Sequence, residues 1–359
     1  TAMAEPVSEP ARALLPPLAL AAGLACVAGA AALANCALLS ALLARSIDGL
    51  FAIIIQLAVA DLLLLVTTIG PEMWSYNVRS WIFGNSGCVV YQGLNVFAST
   101  ASLYLVTTIA LHAIATINLE VKAARWKAKQ SAQEEDEEIR SSRHSLVAAS
   151  SDSSTPPRTM NVDYRRLTDT KIFVARPTIF VWVLSASLSV PEFTLATTIH
   201  LENDTFVCTF IDSNHRFYMH SLIALFNLFL PIFIMTLAFA LIVVRLKARR
   251  TLCEISEDVV SALKLSLWLI IVYVVLCSPR SFVNAYSVYS ASFDGYNTDS
   301  LLETVKHSQP SDIITALNLG FSAAFLIATL MRPILCITFL PCLRKKFTFR
   351  CRTSDVENV

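Results

Sequence analysis

The chain has 359 residues, 55% of them hydrophobic and only 15% charged, with a formal net charge of +1. Soluble domains carry about a quarter charged residues, so this composition and a mean hydropathy of +0.58 exclude an ordinary soluble domain. The 9 Gly and 14 Pro are too few for a fibrous or disordered chain, and the 9 Cys lie apart with no CxxC pair, which argues against a zinc or iron–sulfur site.

A bilayer core needs about 20 apolar residues per helix. Seven stretches qualify: Pro17–Ala44, Leu50–Gly70, Cys88–Leu119, Pro177–Thr197, Tyr218–Leu246, Val260–Phe282 and Ile313–Phe339. None alternates as a barrel strand would, so each reads as a helix. The first has the small residues of a signal peptide over Leu18–Ala34. It lacks a basic leader and continues through Asn35 to Leu43, so it reads as a span. The expected fold is an all-α membrane protein, a seven-helix bundle. Residues 1–16 precede it, 17–119 hold helices 1–3 and 175–339 hold helices 4–7.

Residues 120–174 read as a long cytoplasmic insert without structure of its own. They hold the acidic run Glu134 to Glu138, then a Ser-rich stretch ending at Thr155-Pro156-Pro157. The insert is a solvated tether or a regulatory segment; Arg165-Arg166-Leu167-Thr168 resembles a basophilic kinase site. Basic residues gather in this gap, in the gap after the fifth span (Lys247, Arg249, Arg250) and in the tail, residues 340–359. The opposite gaps and the helix ends facing them offer little: Arg79, Arg216, Arg280 and Lys306. The positive-inside rule makes the basic side cytoplasmic. The expectation is a multi-pass plasma-membrane protein with its N-terminus outside and C-terminus inside.

Several residues carry chemistry in this setting. Asp61 lies mid-membrane within Leu57-Ala58-Val59-Ala60-Asp61-Leu62, where a carboxylate is costly and usually functional. Trp81-Ile82-Phe83-Gly84 precedes Cys88. Pro191, Pro231, Pro279 and Pro333 lie within the fourth to seventh spans. Asn203-Asp204-Thr205 is an N-glycosylation acceptor. Leu343 to Phe349 forms a short basic amphipathic pattern, with Cys342 and Cys351 as palmitoylation candidates or merely membrane-proximal thiols.

In this order, these features resemble the rhodopsin-like class of G-protein-coupled receptors, over the whole chain except the insert and tails. The resemblance implies that Cys88 bonds to Cys208, stapling an extracellular loop over the pocket; two free thiols are the alternative. It implies that Asn35, Asp61 and Ser102 form a core site that can hold a sodium ion; otherwise Asp61 merely pairs with polar neighbours. It also places Gln92, Asn95 and Cys277 among the ligand-pocket candidates. No other cofactor is expected.

The departures fall on the signalling residues. Where the family has an Asp-Arg-Tyr-like triplet, this chain has His112-Ala113-Ile114. Cys277 replaces the Trp before the sixth-helix proline, and Phe239 replaces the fifth-helix Tyr. The Asn-Pro-x-x-Tyr signature reads Arg332-Pro333-Ile334-Leu335-Cys336. Arg332 is positioned to reach toward Asp61, which would favour a charge-paired site over a sodium-filled one.

Ligand chemistry is narrowed mostly by exclusion. Asn95 stands where aminergic receptors keep an Asp, and Leu326 stands where opsins keep the Schiff-base Lys. A peptide or small-molecule ligand remains, and the Trp81–Cys88 segment resembles galanin- and allatostatin-type neuropeptide receptors. Acidic outer residues such as Glu192 and Asp212 would steer a cation, or are ordinary solvated loops.

Two functions follow. One is a receptor working through a G protein or arrestin. The other is a receptor-derived protein that binds a ligand or partner with weak or no coupling. A transporter would show internal repeats, and a membrane enzyme would show a motif such as HExxH or GxSxG; neither is present. The expected partners include membrane lipid but no nucleic acid.

Overall fold

The computed structural model describes residues 17–44, 49–78, 80–144, 174–201, 205–210, 213–248, 256–294 and 312–344. The first four helices are α1 (Pro17–Leu43), α2 (Gly49–Val78), α3 (Gly84–His144) and α4 (Ala175–Leu195). Strands β1 (Ala196–Leu201) and β2 (Thr205–Phe210) follow. The fifth span is α5 (Ser213–Ala224), a π-helical turn over Leu225–Phe229 and α6 (Leu230–Ala248). The sixth is α7 (Glu257–Val272), a π-helical turn over Tyr273–Cys277 and α8 (Ser278–Asp294). The seventh is α9 (Asp312–Phe339), after which residues 341–344 form one further helical turn.

Among the described residues, seven helices are long and apolar enough to cross a membrane. Their surface is inside out relative to a soluble protein: Val66, Phe180, Phe233 and Val275 are each at least 60% exposed. Such a surface fits lipid, which solvates apolar side chains as well as the core does. Helix α3 is the central post, with 78% of its apolar stretch buried against 28–56% in the others. It packs on α2, α4, α6 and α7. Small residues let helices approach closely: Ala28 and Ala31 of α1 pack with Leu65 and Leu326.

Helix α3 runs 61 residues, about 90 Å at 1.5 Å per residue. Residues 120–144, expected to begin the unstructured insert, instead continue this helix. The stretch is rich in Ala, Lys, Gln and Glu and contains no Gly or Pro until Pro156, so nothing local stops it. Residues 145–173 of the insert lie outside the described residues, as do 345–350, most of the expected amphipathic C-terminal helix.

The β1–β2 pair is an antiparallel hairpin with Thr198 opposite Cys208, an addition to the all-α expectation. A run of β-branched and aromatic residues, from Thr197 to Ile199 and from Thr205 to Thr209, favours this local pairing.

Proline shapes the fifth, sixth and seventh spans. A helix proline removes one N–H and leaves the carbonyl four residues earlier without its helical partner. In the fifth and sixth spans the chain widens into a π-helical turn just before the proline. Leu230 N–H bonds Leu225 O ahead of Pro231, and Ser278 N–H bonds Tyr273 O ahead of Pro279. Neighbouring groups take the freed carbonyls. Tyr273 donates its hydroxyl to Asn227 O at 3.1 Å, and Tyr104 of α3 donates to Phe226 O at 2.7 Å. Ser278 donates to Val274 O at 2.5 Å. In α9, Pro333 frees Thr329 O, which accepts from the Asn35 amide at 3.2 Å.

Candidate functional site

The outer end of the bundle is built on the turn before α3. Gly84 has φ +67°, a left-handed conformation that L side chains rarely adopt. The Trp81 indole N–H donates to Gly84 O at 2.9 Å, closing the turn from inside. The hairpin is tied to this turn at three points. Trp81 N–H donates to Phe206 O at 2.7 Å, Phe206 N–H donates to Ser80 at 3.0 Å, and Asn85 Oδ1 accepts from Thr198 N–H at 3.0 Å. Cys88 and Cys208 form a disulfide that fastens β2 to the start of α3. Gln92, one turn further along α3, has its amide 3.9 Å from Cys208 Sγ.

At the centre of the bundle lies a buried charge cluster. Asp61 of α2 is fully buried, and Arg332 of α9 is 3% exposed. Arg332 Nη1 donates to Asp61 Oδ1 at 2.5 Å and also to Ser102 Oγ of α3. Ser102 in turn donates to Asp61 Oδ1 at 2.7 Å. The other guanidinium nitrogen, Nη2, lies 3.5 Å from Cys277 Sγ at the end of the sixth-span π-helical turn. One planar side chain therefore touches three other spans. The planarity and five donors of arginine allow this fork; a lysine ammonium has no equivalent geometry.

The energetics of such a cluster are asymmetric. Isolated charges in a membrane interior are expensive, and a pair offsets this only when held together closely. Deleting one partner leaves an uncompensated charge and costs about 3–5 kcal/mol.

The sodium ion implied by the family resemblance does not fit these residues. Its two natural ligands here, Asp61 Oδ1 and Ser102 Oγ, are both engaged by Arg332 Nη1. The cluster is already neutral. A second cation about 4 Å from the guanidinium would be repelled by about 4 kcal/mol at an effective dielectric of about 20. Asp61 Oδ2 is buried without a hydrogen bond, but a cation placed there would meet the same repulsion.

The remaining site expectations distribute unevenly. Asn35 is buried and joins α1 to α9, donating to Ala31 O at 2.9 Å as well as to Thr329 O. It therefore ties α1 to α9, the helix that carries Arg332, and neither bond reaches Asp61. Cys277, grouped by sequence with Gln92 and Asn95, sits against Arg332. Ala113 is fully buried, while His112 and Ile114 are half-buried. Cys336 is fully buried, whereas Phe239 is 36% exposed. Cys342 is half-buried within the last helical turn. Asn203 and Cys351 lie outside the described residues.

Sequence reasoning missed the tyrosine contacts. The signal for Tyr104 and Tyr273 was a phenol within an apolar span, together with Pro231 and its freed carbonyl. Asn227 was missed as well; its amide donates to Thr100 Oγ1 at 2.8 Å, joining the fifth span to α3. At the other end of the sixth span, Glu120 of α3 accepts from the Ser256 hydroxyl at 2.7 Å and from its N–H at 3.3 Å. A carboxylate there also complements the positive end of α7.

Comparison with known proteins agrees with this arrangement. Over 70 residues the chain is 46% identical to the human "Visual pigment-like receptor peropsin". That stretch is 19% of this chain and spans only about a fifth, 20%, of peropsin's length. The family described as "7 transmembrane receptor (rhodopsin family)" matches residues 49–133 and 160–335, well over half of the chain. With seven apolar helices, a third helix at their centre and a disulfide-pinned hairpin at its start, the chain belongs to the rhodopsin family of seven-transmembrane, G-protein-coupled receptors.

Proposed function

We propose that the chain binds an extracellular peptide or small-molecule ligand at the hairpin end of the bundle, in the plasma membrane with its N-terminus outside. The observation that carries this reading is the hairpin fastened to α3 by Cys88–Cys208, which fixes a roof beside Gln92. The intracellular response runs through a G protein or arrestin. Asn203 in the hairpin loop carries N-linked sugar.

A visual-pigment reading, suggested by peropsin's name, lacks the required amine. Leu326 is buried with Leu24, Ala28, Ala31 and Leu65, and α9 carries no Lys. Retinal could not form a Schiff base there.

The second reading, binding with weak or no coupling, is favoured by Ala113. A fully buried methyl replaces the arginine that the family presents to its G protein. G-protein activation and arrestin recruitment across a neuropeptide library, with Ala113→Arg measured alongside, separates the two readings. A wild-type response is the expected result and identifies a ligand class. A response confined to Ala113→Arg transfers the conclusion to the second reading. Ligand binding in neither protein overturns both.

A further inference from the structure

We propose that Arg332 is a built-in counter-ion. It permanently takes the place of a mobile monovalent cation at Asp61 and makes the bundle's stability independent of sodium.

The argument is one of stoichiometry and geometry. A buried carboxylate needs a proton, a metal ion or a side-chain cation to offset its charge. Here the cation is covalently part of α9, and it already holds both oxygens that an ion would bind, Asp61 Oδ1 and Ser102 Oγ. The charge sum of the site is zero before any ion arrives. A dissociable ion comes and goes with its concentration; a side chain anchored between Met331 and Pro333 does not. The same guanidinium extends to Cys277, so it also ties the sixth span to the second, third and seventh. This inference is independent of whether the chain couples to a G protein, because its test reads stability and involves no signalling partner.

The experiment is thermal unfolding of the purified full-length protein in detergent, in about 0.15 M sodium chloride or choline chloride so that ionic strength is matched. Wild-type melting curves are expected to superimpose in the two salts. Arg332→Asn, which vacates the two oxygens but leaves Asp61 charged, is expected to melt roughly 5–10 °C lower in choline and to regain part of that in sodium. Cys277→Val tests the contact to the sixth span: a smaller loss, equal in both salts. Should Arg332→Asn fail to fold, Asp61→Asn with Arg332→Gln removes both charges and is expected to melt higher than Asp61→Asn alone. A sodium-specific rise in wild-type Tm overturns the proposal. So does an Arg332→Asn protein as stable as wild type in choline, or a double variant no better than Asp61→Asn.

Discussion

The two arms of the Arg332 fork act on different partners, and their chemistry differs. The Asp61 arm is a charge-assisted hydrogen bond, roughly twice as strong as a neutral one. The Cys277 arm ends on sulfur, a weak acceptor. Motion of the sixth span would therefore break the Cys277 contact first and leave the Asp61 pair intact. At the outer end a single covalent bond has a comparable role. Cys88 and Cys208 are 120 residues apart in sequence, so their disulfide closes a long loop. Cys208→Ser is expected to lower stability by about 2–5 kcal/mol and to reduce the fraction of protein reaching the cell surface. Surface labelling and thermal melting would check this; unchanged values in both would remove the disulfide from the list of structural determinants. Asp61 is legible in the sequence as a carboxylate within an apolar span and Arg332 as a cation beside Pro333, whereas Asn35 and Ser102 are legible only through the family resemblance. The Cys277 contact was not legible, because nothing in local sequence reports the rotation of one helix against another.

At the scale of elements, the interior prolines explain contacts that hydropathy could not reveal. The proline turns of the fifth to seventh spans expose carbonyls that the apolar interior cannot leave unpaired; a neighbouring helix supplies the donor in the fifth and seventh, and Ser278 of the same span supplies it in the sixth. This arrangement makes two residues interdependent. Tyr273→Phe orphans Asn227 O and is expected to cost about 1 kcal/mol. In a Pro231→Ala background the restored N–H can bond that carbonyl, so the same tyrosine change is expected to cost less. A double-mutant cycle on Tm measures the coupling; strictly additive losses would mean that the hydroxyl does not serve the proline-freed group. Hydropathy located the seven spans because their lengths and apolar content follow from bilayer thickness. It missed the end of α3 because helix propensity in the Ala-, Lys- and Glu-rich segment beyond Leu119 has nothing to do with apolarity. It missed the β1–β2 hairpin because two six-residue strands carry no comparable hydropathy signal.

The whole molecule is defined by which side of each helix meets lipid. Phe233 in α6 is 63% exposed and Met235, two residues later, is fully buried. Lysine at the first position would face hydrocarbon, at about 2.5–3.5 kcal/mol near the helix centre. Phe233→Lys is expected to reduce membrane insertion, read as the fraction of chains recovered in the membrane pellet after alkaline extraction. Insertion equal to wild type would show that the exposed face of α6 is covered by protein instead of lipid.

Tethering the positive charge to the seventh span also has an electrical meaning. A free ion entering from one side of the membrane would cross part of the transmembrane field, where about 2.3 kcal/mol acts on each elementary charge per 100 mV. The Asp61–Arg332 pair offers the field only a short dipole fixed between α2 and α9. Membrane potential therefore has little leverage on this centre, and a cell could depolarise without altering its occupancy.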